Sequence, residues 1–404
     1  MIEGNRVKIC LISEEYPTPS TGKGGIGTYT YTLAHSLSKL GESVFVISRS
    51  TGVEEEYREG SVVVCRIPPL CFSIPFVHAY LNIFGYSLAV NKKLKQFIEE
   101  RGIEIVEAPE YAAEAFFFSR TKRVPLVIRL HTPHIVIQEL SGTKPGTYSR
   151  IIRWMEKETV THAHVITSPS RRLAELCQHE MGFKQPFSVI PNPVDISQFA
   201  EVDYQSRLSD QLILYVGKFQ DIKNVKVLIQ ALPEVVKRFS QVKLRLIGSD
   251  TRTGLSGSSY RKEMEKLARD LCIEQHVEFF DMIPRKELTQ HYQRARVAVI
   301  PSHFENFPYT CLEAMSCGCP VIASRVGGLT EMIEEGVSGL LFQKDDAFDL
   351  SEKIATLLSD ADLAGRMGDA AALRARRNYA EEIVVPKILE VYRRLLIEAH
   401  KMSK

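Results

Sequence analysis

Two carboxylates, Glu305 and Glu313, stand eight positions apart in the stretch PSHFENFPYTCLEAMSCGCPVIASRVGGLTEMIEEGVSGLL, residues 301–341. Asn-Phe-Pro and an apolar run with helical spacing lie between them. A helix that begins near Pro308 directs the amides of Asn306, Phe307 and Tyr309 at an anion. Proline suits the first helical position, because its missing N–H costs nothing there. A second cluster is Val216-Gly217-Lys218-Phe219-Gln-Asp-Ile-Lys223-Asn224. Gly217 permits close backbone approach, and Lys218 and Lys223 reach one diphosphate as point charges. A third, Gly22-Lys-Gly24-Gly25-Ile-Gly27, runs into a helix and offers bare amides to a phosphate. A fourth, Arg129-Leu-His131-Thr-Pro-His134, sets two histidines within four residues. Together these groups point to the handling of a phosphorylated ligand.

Each cluster follows an apolar run of strand length. Val297–Ile300 precedes Glu305, Leu212–Val216 precedes Gly217, Arg6–Ile12 precedes the glycine-rich loop and Leu126–Leu130 precedes His131. In a parallel α/β sheet, the carboxyl ends of the strands are where ligands bind. Further strands are expected at 43–48, 62–66, 103–108 and 164–167, and helices at 26–40, 89–101 and 150–162. The pattern restarts after a linker at 189–210, with strands at 243–247, 277–280, 321–323 and 339–342. The fold class is α/β, with two doubly wound, Rossmann-like parallel-sheet domains.

Bulk properties bound the partners. A chain of 404 residues exceeds what one core usually supports. The net charge of +2 excludes a polyelectrolyte partner such as nucleic acid. Eight scattered cysteines show no metal spacing and read as reduced thiols, and Cys317-Gly-Cys319 is too tight for zinc. The amino-terminal segment is a strand pattern without a signal peptide's apolar core, so a cytoplasmic protein is expected. Residues 67–91 carry no charge, but prolines, His78 and Gly85 break any spanning helix. The segment reads as core, as the lining of an apolar cleft, or as a peripheral contact with the inner face of a membrane.

The stretch around Glu305 resembles the donor-binding signature of family-four, group 1 glycosyltransferases of the GT-B fold. Pro301, Ser302, Glu305, Glu313, Ala314, Met315, Gly318, Pro320, Gly327, Gly328 and Glu331 match it. Asn-Phe-Pro departs from the usual Gly-Phe-Gly. The resemblance implies two domains facing a cleft: 1–192 on the acceptor side, and 193–382 binding a nucleotide-sugar donor. A last helix, 383–404, crosses back. It implies retaining transfer of a hexosyl group from a nucleoside-diphosphate sugar, with UDP the first choice, to a glycan, lipid-linked or small-molecule acceptor. By the same resemblance His131 faces the reacting sugar, Glu305 accepts from sugar hydroxyls and Glu313 from the ribose. Lys218 and Lys223 match the family's basic pair, and Gly24 and Gly25 its diphosphate loop. Ile283 falls in the segment that reads the base. No metal or other cofactor is expected.

The glycine-rich run matches a dinucleotide fingerprint, but nine residues with two prolines separate it from the strand, and the second strand ends in Ser48-Arg49 without an acid. Asp360-Ala-Asp362 spells a metal motif, yet it lies between two helices and reads as an N-cap. Glu110 could shape an acceptor site or be a plain loop carboxylate. A sugar-nucleotide epimerase of the same fold and a non-catalytic nucleotide- or glycan-binding module are the alternative functions.

Overall fold

A computed structural model describes residues 6–18, 24–50, 52–70, 78–141, 146–199, 211–254 and 257–402. Gly22, Lys23, the start of the uncharged segment (71–77) and the polar stretch 200–210 lie outside the described residues.

The chain forms two compact units. The first comprises residues up to Pro193 together with Glu381–Lys404, and the second is Val194–Ala380. The first unit carries eight strands: β1 Lys8–Ile12, β2 Ser43–Arg49, β3 Glu55–Glu59, β4 Val62–Ile67, β5 Ile105–Pro109, β6 Leu126–Arg129, β7 Val165–Ser168 and β8 Phe187–Val189. Their order is β3-β4-β2-β1-β5-β6-β7-β8, and all neighbours are parallel except β3 and β4. The sequence reading missed β3 and β8. The charged run EEYRE has no apolar face of its own, and it is a strand because Glu55–Glu59 pairs antiparallel with Arg66–Val62.

The second unit carries six parallel strands in the order β11-β10-β9-β12-β13-β14. They are β9 Leu212–Val216, β10 Lys243–Ile247, β11 Val277–Phe280, β12 Val297–Ile300, β13 Val321–Ser324 and β14 Leu340–Phe342. Alternate residues feed two cores. Ile213, Leu244, Leu246, Val297, Val299 and Ile322 enter one. Leu214, Ile247, Ala298, Ile300, Val321 and Ala323 enter the other. Burial on both faces is why the central strands β9, β12 and β13 read as unbroken apolar runs.

In each sheet the strand order reverses beside the first strand, at β1/β5 and at β9/β12. Such a reversal leaves a crevice at the carboxyl ends of the two strands.

The last helix, Glu381–Met402, packs in the first unit. Glu381 accepts from Ser36 Oγ and from Lys39 Nζ, each at 2.6 Å, and Tyr392 Oη donates to Glu107 at 2.7 Å. Asp360 caps the helix Ala361–Asn378 by accepting from the Leu363 amide at 2.8 Å. Among the described residues seven cysteines are free thiols, and all of these but Cys272 are buried. Among the described residues no helix is long and apolar enough to cross a membrane. In the uncharged segment, Tyr86 and Val90 are buried core residues.

Candidate active site

In the second unit Gly217 and Lys218 leave β9 at the reversal point. Gly248, after β10, presses so close that a Cβ there would lie 1.7 Å from the Gly217 oxygen. The Lys218 carbonyl is held by Tyr215 Oη at 2.8 Å, while its side chain stands in solvent. Lys223 lies in the turn Asp221–Lys223. The neighbouring strand β12 delivers Glu305. Its carboxylate, 9% exposed, accepts from Lys223 Nζ at 2.6 Å and from Ser302 Oγ at 2.7 Å, both on Oε1. Its carbonyl accepts from the Gly328 amide at 2.9 Å, and a Cβ on Gly327 (φ 45°) would fall 2.0 Å from that oxygen. The first glycine of the signature is thus required by the backbone of Glu305, and the second holds that backbone through its amide.

The structure corrects the reading of the helix start. The helix is Tyr309–Ser316, with Pro308 at the N-cap (ψ 134°) and not at the first helical position. Phe307, 5% exposed, is anchored edge-on against Tyr379 at 5.2 Å, and a residue before proline resists helical dihedrals. Asn306 and Phe307 therefore belong to the loop and not to the first turn. Glu313 lies in the second turn, 7% exposed, with Tyr292 Oη 3.4 Å from its Oε2. Ile283 is half-buried against the same core as Phe307.

In the first unit His131 follows β6. Its amide donates to both oxygens of Glu110, at 2.8 Å each, across from the end of β5. Its ring meets the edge of Tyr29 at 5.2 Å. Burial, and then the Arg129 guanidinium, lower its pKa to about 3, so His131 is a neutral imidazole that can hydrogen-bond but carries no charge at neutral pH. Arg129 is fully buried, lies 4.7 Å over the Tyr29 ring and donates to Asn192 Oδ1 at 2.8 Å. Glu107 accepts from Tyr29 and Tyr392, and burial raises its pKa. A small cavity is lined by Tyr29, Thr30, Glu107, Arg129 and His131. His134 is committed elsewhere: its Nδ1 lies 2.8 Å from buried Glu156, and its ring stacks on Tyr111 at 4.8 Å.

The glycine-rich loop separates into two roles. A Cβ on Gly27 would fall 2.1 Å from the Glu15 carbonyl oxygen, so this glycine accommodates the chain after β1, and a Cβ on Gly24 would fall 2.3 Å from the movable Glu15 carboxylate. Gly25 opens the helix Gly25–Lys39 with no atom within 4 Å of a Cβ position. It alone of the three leaves room for a ligand.

The buried acids were not legible as such. Glu107 and Glu110 stand at a strand end in the sequence, but only the fold shows Glu110 holding the His131 amide. Burial raises the Glu110 pKa to about 8 from 4.5. Between these values the folded chain keeps a proton that the unfolded chain releases. The stabilisation is complete below the lower value and is lost as pH rises through the higher one. Glu110→Gln should therefore flatten the fall in Tm between about pH 4.5 and about pH 8. An unaltered slope would show that Glu110 does not carry the proton.

Comparison with known proteins identifies the chemistry. The family described as Glycosyl transferases group 1 matches residues 198–374, and that described as Glycosyltransferase Family 4 matches residues 23–198. The chain belongs to the group 1 glycosyltransferases. This glycosyltransferase is 28% identical over 400 residues to a D-inositol 3-phosphate glycosyltransferase of Corynebacterium urealyticum, covering 92% of this chain and 91% of the relative. In fold it is similar to sucrose-phosphate synthase from Thermosynechococcus elongatus, with a TM-score of 0.82, 22% identity, and 97% and 100% of the two chains covered. It is also similar to Anabaena HepE, solved with UDP-glucose, with a TM-score of 0.71, 19% identity, and 96% and 99% covered. The fold of the glycosyltransferase is therefore GT-B, and it is an enzyme of the glycosyl-transferring class.

Proposed function

We propose that this glycosyltransferase moves a hexosyl group from a nucleoside-diphosphate sugar, UDP being the preferred nucleotide, to an acceptor hydroxyl with retention at the anomeric carbon. The acceptor is a glycan, a lipid-linked compound or a small molecule, and the reaction runs in the cytoplasm, at a membrane face if the acceptor is lipid-linked. The observation that carries the reading is the Lys223–Glu305 pair, at 2.6 Å, which joins the loops that follow the neighbouring strands β9 and β12. A cation for the diphosphate and a carboxylate for the sugar are adjacent there. The name of the Corynebacterium relative and the UDP-glucose complex of the Anabaena protein support the same reading.

In the step itself the bond from the anomeric carbon to the diphosphate oxygen breaks, and the acceptor oxygen bonds to the same face. The acceptor proton passes to the departing phosphate. Negative charge grows on the diphosphate, and Lys218, Lys223 and the Gly25 amide are assigned to it; each such preorganised donor is worth roughly 10²–10³ in rate. The carbonyl and ring of neutral His131 and the carboxylate of Glu305 are assigned to the sugar, Glu313 to the ribose and Ile283 to the base. Gly217 gives the phosphates backbone access, and Asn306 and Phe307 border them.

The test is transfer from UDP-, ADP- and GDP-hexoses to a panel of polyols and oligosaccharides, with the product anomer read by NMR. Because two lysines supply the counter-charge, transfer should persist in EDTA. Absence of both transfer and donor hydrolysis with every donor would overturn the reading. An inverted product would overturn retention, and loss in EDTA restored by magnesium or manganese would overturn metal independence.

A further inference from the structure

Two non-glycine residues with left-handed backbone meet beside the Lys223–Glu305 pair. Asn224 (φ 49°) starts the helix Val225–Arg238, and Asp345 (φ 64°) lies in the turn after β14. This conformation is natural for glycine and strained for most other residues. Asn and Asp tolerate it, but glycine would do so without cost. Their side chains account for their presence. Asn224, 5% exposed, donates from Nδ2 to Asp345 Oδ1 at 2.9 Å. His303 Nδ1 lies 3.0 Å from the same oxygen. The His303 amide also donates to the Ile222 carbonyl at 2.9 Å.

The sequence positions of these residues matter. Asn224 directly follows Lys223, and His303 stands two residues before Glu305. The Asp345 carboxylate thus hydrogen-bonds the residue beside Lys223 and stands against the His303 ring, while the His303 amide ties the Glu305 loop to the Lys223 turn.

We propose that Asn224, Asp345 and His303 form a positioning link that sets the placement of Lys223 against Glu305, and so the geometry in which diphosphate and sugar are held. The link rests on the roles proposed above for Lys223 and Glu305. None of its three side chains touches substrate in that reading. They act through the two residues that do.

Asn224→Gly and Asp345→Gly delete the side chains at positions where glycine is at ease, so both variants should keep the wild-type Tm. Misplacement of reacting groups by an ångström can cost about a hundredfold. We expect kcat to fall roughly 10- to 100-fold in each, with KM for the nucleotide sugar within about threefold of wild type. Asp345→Asn keeps an oxygen that can accept from Asn224 Nδ2, and it should recover most of the lost kcat. Glycine variants with kcat within about twofold of wild type would overturn the link. So would a loss confined to KM, an Asp345→Asn no better than Asp345→Gly, or a collapse of Tm, which would make the contacts structural. A wild-type enzyme inactive with every nucleotide sugar overturns the proposed function and the link with it. An active wild type with fully active glycine variants overturns the link alone.

Discussion

Glu305→Ala is expected to abolish most transfer while leaving affinity for plain UDP within about threefold of wild type. Glu313→Ala is expected to do the reverse at the binding step. A carboxylate accepting hydroxyl hydrogen bonds is worth about 1.5–3 kcal/mol, so loss of Glu313 should weaken UDP itself roughly 10- to 100-fold. The structure sharpens the contrast. Glu305 stands in the loop after β12 with its Oε1 on Lys223 and Ser302, and Glu313 stands a full turn into the helix against Tyr292. Removing Glu305 frees Lys223 for phosphate, so diphosphate binding does not suffer. The orientation of the sugar does. Calorimetry with UDP and a transfer assay on both variants check the two halves. Equal loss of UDP affinity in the two would show that their roles are misassigned, and full transfer by Glu305→Ala would remove the central residue of the reading.

Lys223→Ala should fail in two measurable ways. Transfer should drop roughly 10²- to 10³-fold, because a charge aimed at the leaving diphosphate is gone. Stability should drop as well, by about 1–3 kcal/mol, because Glu305 is left buried with Ser302 as its remaining side-chain partner. Lys223 is 29% exposed, which keeps that figure below the cost of breaking a fully buried pair. The double variant Lys223→Ala/Glu305→Ala should regain stability relative to Lys223→Ala without regaining activity. Thermal denaturation of the four proteins tests the coupling. Strict additivity would mean that the 2.6 Å contact carries no net energy in solution.

These expectations rest on what could be read before any fold was available and on what could not. The strands of the second unit were legible almost to the residue. Leu212–Val216 and Val297–Ile300 are apolar runs buried on both faces, and Lys243–Ile247 and Val277–Phe280, nearer and at the sheet edge, interleave charged residues with apolar ones. Such runs are local signals. So were the loop positions of Glu305, Lys218, Lys223 and His131, since each follows its strand directly.

The fold decided the rest through partners distant in the chain. Glu55–Glu59 is a strand only because β4 offers it a ladder. Pro308 caps a helix instead of entering it, and Phe307 beside it is anchored against Tyr379, 72 residues further on. Glu110 is buried and holds the His131 amide, whereas its composition and spacing described a loop carboxylate equally well. Asn224 carries no signal of its own in the sequence, yet its side-chain amide reaches Asp345, 121 positions away. Apolar periodicity is written in neighbouring residues, so the sequence alone determined the apolar strands and the strand end at which each chemical group lies. Burial of a charge, the protonation of a histidine and the hydrogen bonds of a left-handed residue depend on atoms supplied by remote segments, so only the tertiary structure decided them.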